Sequence, residues 1–571
     1  MFRSVASEAW SLRAGVAAVV LLATVPFLAK PLHIDDPADL QYVRQILHDP
    51  LDPYGFELDW DEGPRPAFRN YHPPLKYYYH ALVLALFPTS QVVLHASYIP
   101  LVALTAWAIV RFARRFDCSP LPLLVVWMLG PGFLPGQNAM LDVPVMALGL
   151  AATALLIDAV DSARIGRLLL AGLVLGAALL TKYSAIIYIP IWVVYLVARG
   201  RVRDWLVLVV PAALFALWCG WTAWRYGELH PRVLFERLPV HAAAPAVVER
   251  LLPALVFLGG SMPAAGLLCW CLGRPGRITV LVAALATLAV ACAATPHRQV
   301  ATGSPLLSPI NFALWGVLAA TGIAVVLVSV WSGCNDWLRL NVDGPAASSA
   351  RIRDVTFLAA WFCVALLIGA GAAPFLAMRR VVEASLPAWI LLLRRDPSGI
   401  RSNRIPITFA AAANCLVGFM VAAADYEFAT VYPQFAGDLA ELTRGNPSRM
   451  WCHGYWGWSH YARAAGLPHY VLGHERPPSG SLLVIPDDVA KPATLPDEIR
   501  SGARKIHEEA TRGFIPIRVM NHRAGAGYYG SAWGPLPYAL STTPLEFFDF
   551  YELSAPDDAE SQSRGDRLDG P

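Results

Sequence analysis

Apolar segments recur from residue 14 to residue 424, with clusters of arginine between them, and this pattern decides what the chain can fold into. In hydrocarbon every backbone N–H and C=O must be satisfied inside the segment, and about 20 apolar residues are needed per crossing, so the runs read as membrane helices. The alternating pattern of a membrane barrel is missing. With 56% hydrophobic residues the chain carries more apolar content than a soluble core requires. The first run, Ala14 to Ala29, ends in Lys30-Pro31 without a small-residue cleavage site, so it reads as a retained helix rather than a removed signal. The nine cysteines fall mostly inside apolar runs, and their spacing gives neither a disulfide framework nor a zinc site. A net charge of +3 provides no basic field for nucleic acid.

Retained Lys and Arg favour the cytoplasmic side of a membrane. Arginines cluster at 3 and 13, at 111, 114 and 115, at 164 and 167, at 199, 201 and 203, at 274 and 277, at 339, 351 and 353, and at 394, 395, 401 and 404. All of them fall on one side if the short run Leu75 to Phe87, which follows a Pro-Pro pair, lies along the interface instead of crossing. The spans then read as 14–29, 92–110, 121–134, 140–157, 168–180, 183–197, 205–223, 251–271, 279–294, 307–330, 355–371, 381–393 and 405–424. The expected fold is thus an α-helical polytopic protein of the cell (inner, cytoplasmic) membrane, with about 13 transmembrane helices and a cytoplasmic N-terminus. Outside the membrane it places a first loop, about 31–90, further loops around 224–250 and 295–305, and everything after residue 424. The tail, 425–555, alternates amphipathic stretches (435–442, 461–465) with β-rich ones (481–485, 514–519, 547–551), as in a small extracytoplasmic α/β domain. Residues 556–571 are polar and read as disordered.

Within this frame the charged residues of the outer side are the informative ones. Asp35 and Asp36 stand side by side at the outer mouth of the first helix, in His33-Ile34-Asp35-Asp36, a costly placement that suits chemistry at the membrane surface. Each carboxylate also raises its neighbour's proton affinity. A plainer reading makes Asp36, before Pro37, the N-cap of a helix over Pro37 to Leu47. His72, Lys182, Arg379 and Arg380 also lie outside, against the positive-inside tendency, and call for a local anion; the plainer reading is snorkelling to lipid headgroups. Asp142 opens a span, where a carboxylate suits the positive end of a helix. Tyr77, Tyr78 and Tyr79 fit an interfacial aromatic belt or a sugar-stacking platform. The acidic stretch Glu57 to Glu62 can bind a divalent ion or an acceptor, or be a solvated face; no ligand spacing there is diagnostic, and no metal is expected.

The order of these features resembles the GT-C glycosyltransferases, in the group of the protein O-mannosyltransferases and the bacterial aminoarabinose transferase of lipid A. Asp35-Asp36 matches that group's acidic pair and His72-Pro73-Pro74-Leu75 its Pro-Pro-Leu motif. Leu141-Asp142-Val143-Pro144, Thr181-Lys182-Tyr183 and Met378-Arg379-Arg380 with Leu386-Pro387 add to it, although Arg380 stands where the group usually has Tyr. The tail adds Gly454-Tyr455-Trp456-Gly457-Trp458 and the glycine-rich stretch from Gly525 to Pro537. The resemblance implies transfer of a sugar from a polyprenyl-phosphate carrier to a glycolipid, polysaccharide or protein acceptor at the outer face, with inversion and without a cofactor. It implies Asp35, or Asp36, as general base and cations at His72, Lys182, Arg379 and Arg380 for the phosphate, with Asp142 and Tyr77 in substrate binding. The competing classes are a secondary transporter, for which no self-similar halves are visible, and a non-enzymatic carrier-binding assembly protein.

Overall fold

The computed structural model describes residues 2–60, 63–70, 72–241, 244–272, 274–294, 307–340, 348–371, 375–394, 404–444, 449–474, 476–491, 497–500 and 502–554. The tail read as disordered, the loop at 295–305, and Asp61, Glu62 and Tyr71 lie outside the described residues.

In chain order the helices are α1 (Phe2–Thr24), α2 (Asp36–His48), α3 (Leu75–Leu86), α4 (Gln91–Ala96), α5 (Ile99–Arg115), α6 (Pro120–Met128), α7 (Asp142–Ser162), α8 (Ile165–Thr181), α9 (Tyr188–Ala198), α10 (Val209–Tyr226) and α11 (His230–His241). There follow α12 (Ala244–Ser261), α13 (Ala265–Cys271), α14 (Arg274–Ala294), α15 (Pro309–Leu340), α16 (Ser348–Gly371), α17 (Met378–Leu393), α18 (Arg404–Leu442), α19 (Trp456–Ala464) and α20 (Asp497–Arg500). Among the described residues eight helical segments are long and apolar enough to cross a membrane, and α12 with α13 makes a ninth if the bent pair is one span. The protein is a multi-pass membrane protein. Each of the thirteen segments read as spans coincides largely with helix, with 92–110 divided between α4 and α5, and three others differ more in shape. The span read at 251–271 is broken, bending by 83° between α12 and α13, where Pro263 supplies no N–H to continue the ladder. The span read at 121–134 is helical only to Met128, after which the chain turns through Gly130-Pro131-Gly132. The last span does not stop at residue 424: α18, 39 residues long in all, runs on into the tail as far as Leu442.

Packing follows the apolar pattern. α7 is buried on nearly every face, as expected of a helix that is apolar all round. α12 and α15 meet backbone to backbone, because a Cβ on Gly259 would stand 1.9 Å from the Leu318 carbonyl oxygen and one on Gly322 2.0 Å from that of Leu255. One end of the bundle gathers several of the arginines whose clusters set the topology. Arg111 pairs with Asp158, Arg115 with Asp161 at 2.5 Å and with Asp354 at 2.9 Å, and Arg199 with Asp354 at 2.6 Å. Asp142 opens α7 and Asp161 lies near its end, so at 1.5 Å per residue the two are about 28 Å apart. The arginine cluster and Asp142 therefore occupy opposite ends of the bundle.

The strands are β1 (Glu57–Asp59) and β2 (Pro64–Pro66) in the first loop and, beyond α18, β3 (Met450–Cys452), β4 (Leu482–Pro486), β5 (Ala503–Thr511), β6 (Ile517–Arg518), β7 (Met520–Asn521), β8 (Ala526–Gly527), β9 (Ala539–Leu540) and β10 (Glu546–Leu553), of which four form a sheet in the order β3-β4-β10-β5. β3 and β4 are parallel and the other pairings antiparallel. Phe435 of α18 stacks on Phe548 at 3.8 Å, and the Tyr432 hydroxyl donates to the buried Glu546 carboxylate at 2.8 Å, so the sheet is packed on the extension of α18. The stretch read as β-rich at 514–519 supplies only a two-residue strand, Ile517–Arg518, whereas β5 carries no apolar alternation and was not visible in the pattern.

Candidate active site

The turn after α1 brings the acidic pair into place. Ile34 sits in the left-handed region at φ 51°, and α2 starts at Asp36 with Pro37 in its first turn. This reverses the capping assignment. Asp36 accepts from the His33 N–H, ahead of the helix, at 3.3 Å, and is only 2% exposed, so it closes the turn instead of capping the helix N-terminus. Burial pushes its carboxyl up to about 8, and that burial, not the adjacent carboxylate, is the principal cause. Asp35 is 41% exposed and faces a cavity of about 790 Å³.

That cavity collects charged groups from distant parts of the chain. Arg379, in the first turn of α17, approaches Asp35 at 3.5 Å and Asp142 at 3.6 Å. Lys182, on the extended residue that ends α8, reaches the other Asp142 oxygen at 2.5 Å. Asp142 is therefore both a residue at a helix start and the acidic centre between two cations. His72 and Arg380 also line the cavity. Burial holds the His72 imidazole well below its usual value, with Lys182 acting in the same direction, so the ring is a neutral hydrogen-bonding group and not a cation at neutral pH.

Tyr77 does not reach this space. Its ring is fully buried and stacked on Tyr42, with centroids 4.5 Å apart and 10° between planes, because α3 packs that face onto α2. The expectation that Tyr77 binds substrate is corrected accordingly: its neighbour Tyr78 hydrogen bonds the Pro50 carbonyl and Tyr79 that of Ser97, so all three rings are engaged with protein.

Other cavity residues were missed in the sequence. Asp39 lies one turn after Asp35 and is held at 2.7 Å by the buried Lys76, directly after the Pro-Pro-Leu motif. Glu383, four residues after Arg379 on the same helix face, accepts from the Tyr188 hydroxyl at 3.1 Å; the i, i+4 spacing is the signal that could have found it. Beside the cavity Lys30 makes a buried ion pair with Asp425 of α18 and donates to Asn138 at 2.5 Å, while the Tyr529 hydroxyl donates to Asp425 at 2.8 Å. Nothing local in the sequence links residues this far apart. Asp59 of the acidic stretch pairs with Arg463 at 2.8 Å and so is a tie between the first loop and the tail.

Residues 71–224, about a quarter of the chain, match the family described as dolichyl-phosphate-mannose-protein mannosyltransferase. That segment holds His72, Asp142 and Lys182, so the resemblance read from the motifs is met there by a family match. None of the curated proteins matches the chain. Among solved structures, ArnT from Cupriavidus metallidurans bound to undecaprenyl phosphate aligns at 16% identity over 83% of this chain and 93% of its own, with a TM-score of 0.41. The arabinofuranosyltransferase AftD from Mycobacteria aligns at 14% identity with a TM-score of 0.42; it covers 96% of this chain, which spans 40% of AftD.

Proposed function

We infer that the protein transfers a sugar from a polyprenyl-phosphate carrier to an acceptor at the outer face of the cytoplasmic membrane, with inversion at the anomeric carbon. The observation that carries this reading is the single cavity in which a carboxylate, Asp35, stands 3.5 Å from a guanidinium, Arg379, itself next to the Asp142–Lys182 pair. In the proposed step Asp35 takes the proton of the acceptor hydroxyl as its oxygen bonds to the anomeric carbon. The carbon–oxygen bond to phosphate breaks on the opposite face, and the carrier leaves as its phosphate. Arg379 stabilises the developing charge, with Lys182, Arg380 and neutral His72 as further donors. Asp142 then positions the two cations without neutralising both. The apolar wall from Leu179 through Ile186 to Phe215 suits the isoprenoid chain. The family match over 71–224 supports the same chemistry. The outward orientation rests on the arginine cluster at the far end of the bundle. A C-terminal alkaline phosphatase fusion is accordingly expected to be active, and a cytoplasm-dependent fluorescent fusion dark; the reverse would remove the outer-face assignment.

The phosphate site is tested by transfer rate against carrier concentration. A charge-assisted contact to phosphate contributes about 1.5–3 kcal/mol, so Arg379→Ala is expected to weaken donor use about ten- to a hundredfold. Arg379→Lys should recover only part, since an ammonium cannot reproduce the bidentate fork. Unchanged donor dependence in Arg379→Ala and Arg380→Ala alike would turn this pair into a lipid-headgroup anchor.

A further inference from the structure

Two tryptophans of the tail, Trp456 and Trp533, line the cavity and touch each other, with ring centroids 5.2 Å apart and planes at 56°. Both pack at the edge of the hydrophobic core yet remain only half-buried, so part of each ring is left to face the cavity. Their supports run to opposite sides of the site. Trp456 opens α19, which packs on α2; its neighbour Gly457 stands against the Leu32 carbonyl, 3.6 Å from where a Cβ would lie, in the turn that carries Asp35. Trp533 belongs to a loop bonded to the chain just before Arg379: the Ser531 N–H donates to the Leu376 carbonyl at 2.7 Å, and the Met378 N–H to that of Tyr528 at 2.9 Å. The pair thus links the Asp35 side of the cavity to the Arg379 side, where those two residues are 3.5 Å apart. Trp456 is also held at φ 57°, a left-handed conformation that a bulky residue adopts only where its surroundings impose it.

We propose that Trp456 and Trp533 form the platform on which the sugar ring of the carrier-linked donor rests, the C–H face of the ring lying on the indoles. This deepens the reading given under the proposed function and rests on it. The donor's ring is favoured over the acceptor because it is separated from the phosphate by one oxygen, so any phosphate held by Arg379 places the ring within reach of this roof, whatever the acceptor is. Aromatic rings offer a flat apolar surface at low entropic cost, while the hydroxyls at the ring's edge remain free for polar groups.

The test uses the full chain in lipid nanodiscs, and compares bare polyprenyl phosphate with polyprenyl phosphate carrying glucose, mannose, galactose or arabinofuranose. The parent is expected to bind at least one sugar-bearing carrier more tightly than the bare one. Trp533→Leu should lower that preference about three- to tenfold while leaving affinity for bare carrier unchanged, and Trp533→Phe should keep part of it. On the unaltered protein, hydroxyl-radical footprinting read by mass spectrometry should show Trp456 and Trp533 protected by the preferred sugar-bearing carrier and not by bare polyprenyl phosphate. No preference in the parent, an undiminished preference in Trp533→Leu, or equal protection by both carriers overturns the platform. Loss of binding to every polyprenyl phosphate in the parent would instead remove the carrier reading itself.

Discussion

Asp35→Asn is expected to lower sugar transfer by about 10²- to 10⁴-fold, the range that a positioned general base contributes. The amide keeps the size of the carboxylate but cannot accept the acceptor's proton, so the loss should fall on the chemical step and persist at saturating carrier. Folding should survive, since Asp35 is 41% exposed in the cavity and makes no side-chain capping bond at the start of α2. Asp36→Asn provides the contrast. With its carboxyl pushed up to about 8 by burial, Asp36 is mainly protonated at neutral pH, and an amide imitates that form. Initial rates of both variants with one carrier and one acceptor decide the matter, and a fast Asp35→Asn enzyme would transfer the base role elsewhere, with Asp39, which also lines the cavity, a candidate.

The second large effect lies outside the reacting groups. Removing one member of a buried ion pair leaves the other charge without compensation and costs about 3–5 kcal/mol. Lys30 is 1% exposed and Asp425 0%, so Asp425→Ala should lower stability by that amount, read as a shifted denaturation midpoint of the detergent-solubilised protein. A double change, Lys30→Met with Asp425→Leu, should recover most of the loss because no orphaned charge remains. If Asp425→Ala unfolds like the parent, the pair is hydrated in solution and does not fasten the turn after α1 to α18.

The sequence made visible those parts of the molecule that are written locally. Apolar length marks the helices, and short motifs point to Asp35, Asp142, Lys182 and Arg379, which the structure brings to one cavity. Where a residue's setting depends on how helices cross, the reading was weaker. Tyr77 could not be told from a cavity residue without knowing that α3 turns its ring onto Tyr42. Asp36 looked like a cap because Pro37 follows, yet the preceding turn folds back and claims its carboxylate first. Lys30 and Asp425 are separated by 395 positions, and only the packing of α18 beside the first turn makes them partners. β5 hid for a different reason: its side chains are exposed almost throughout, so no burial pattern marks it as a strand.

The continuity of α18 has a bearing on traffic through the enzyme. Besides the continuation of α18, the tail is tied to the helical body at several places, among them the Tyr528 hydroxyl on the Pro131 carbonyl, the Tyr538 hydroxyl on the Gly260 carbonyl, and the bonds between 528–531 and 376–378. A roof pinned at so many points does not swing open like a hinged lid. On the proposed carrier reading, the way in that this leaves is sideways, past Ile186, which lines the cavity and is 57% exposed. On that reading a long-chain carrier that slides in and out through this flank would never leave the bilayer, so its supply would be set by two-dimensional diffusion and surface density in the leaflet, not by bulk concentration.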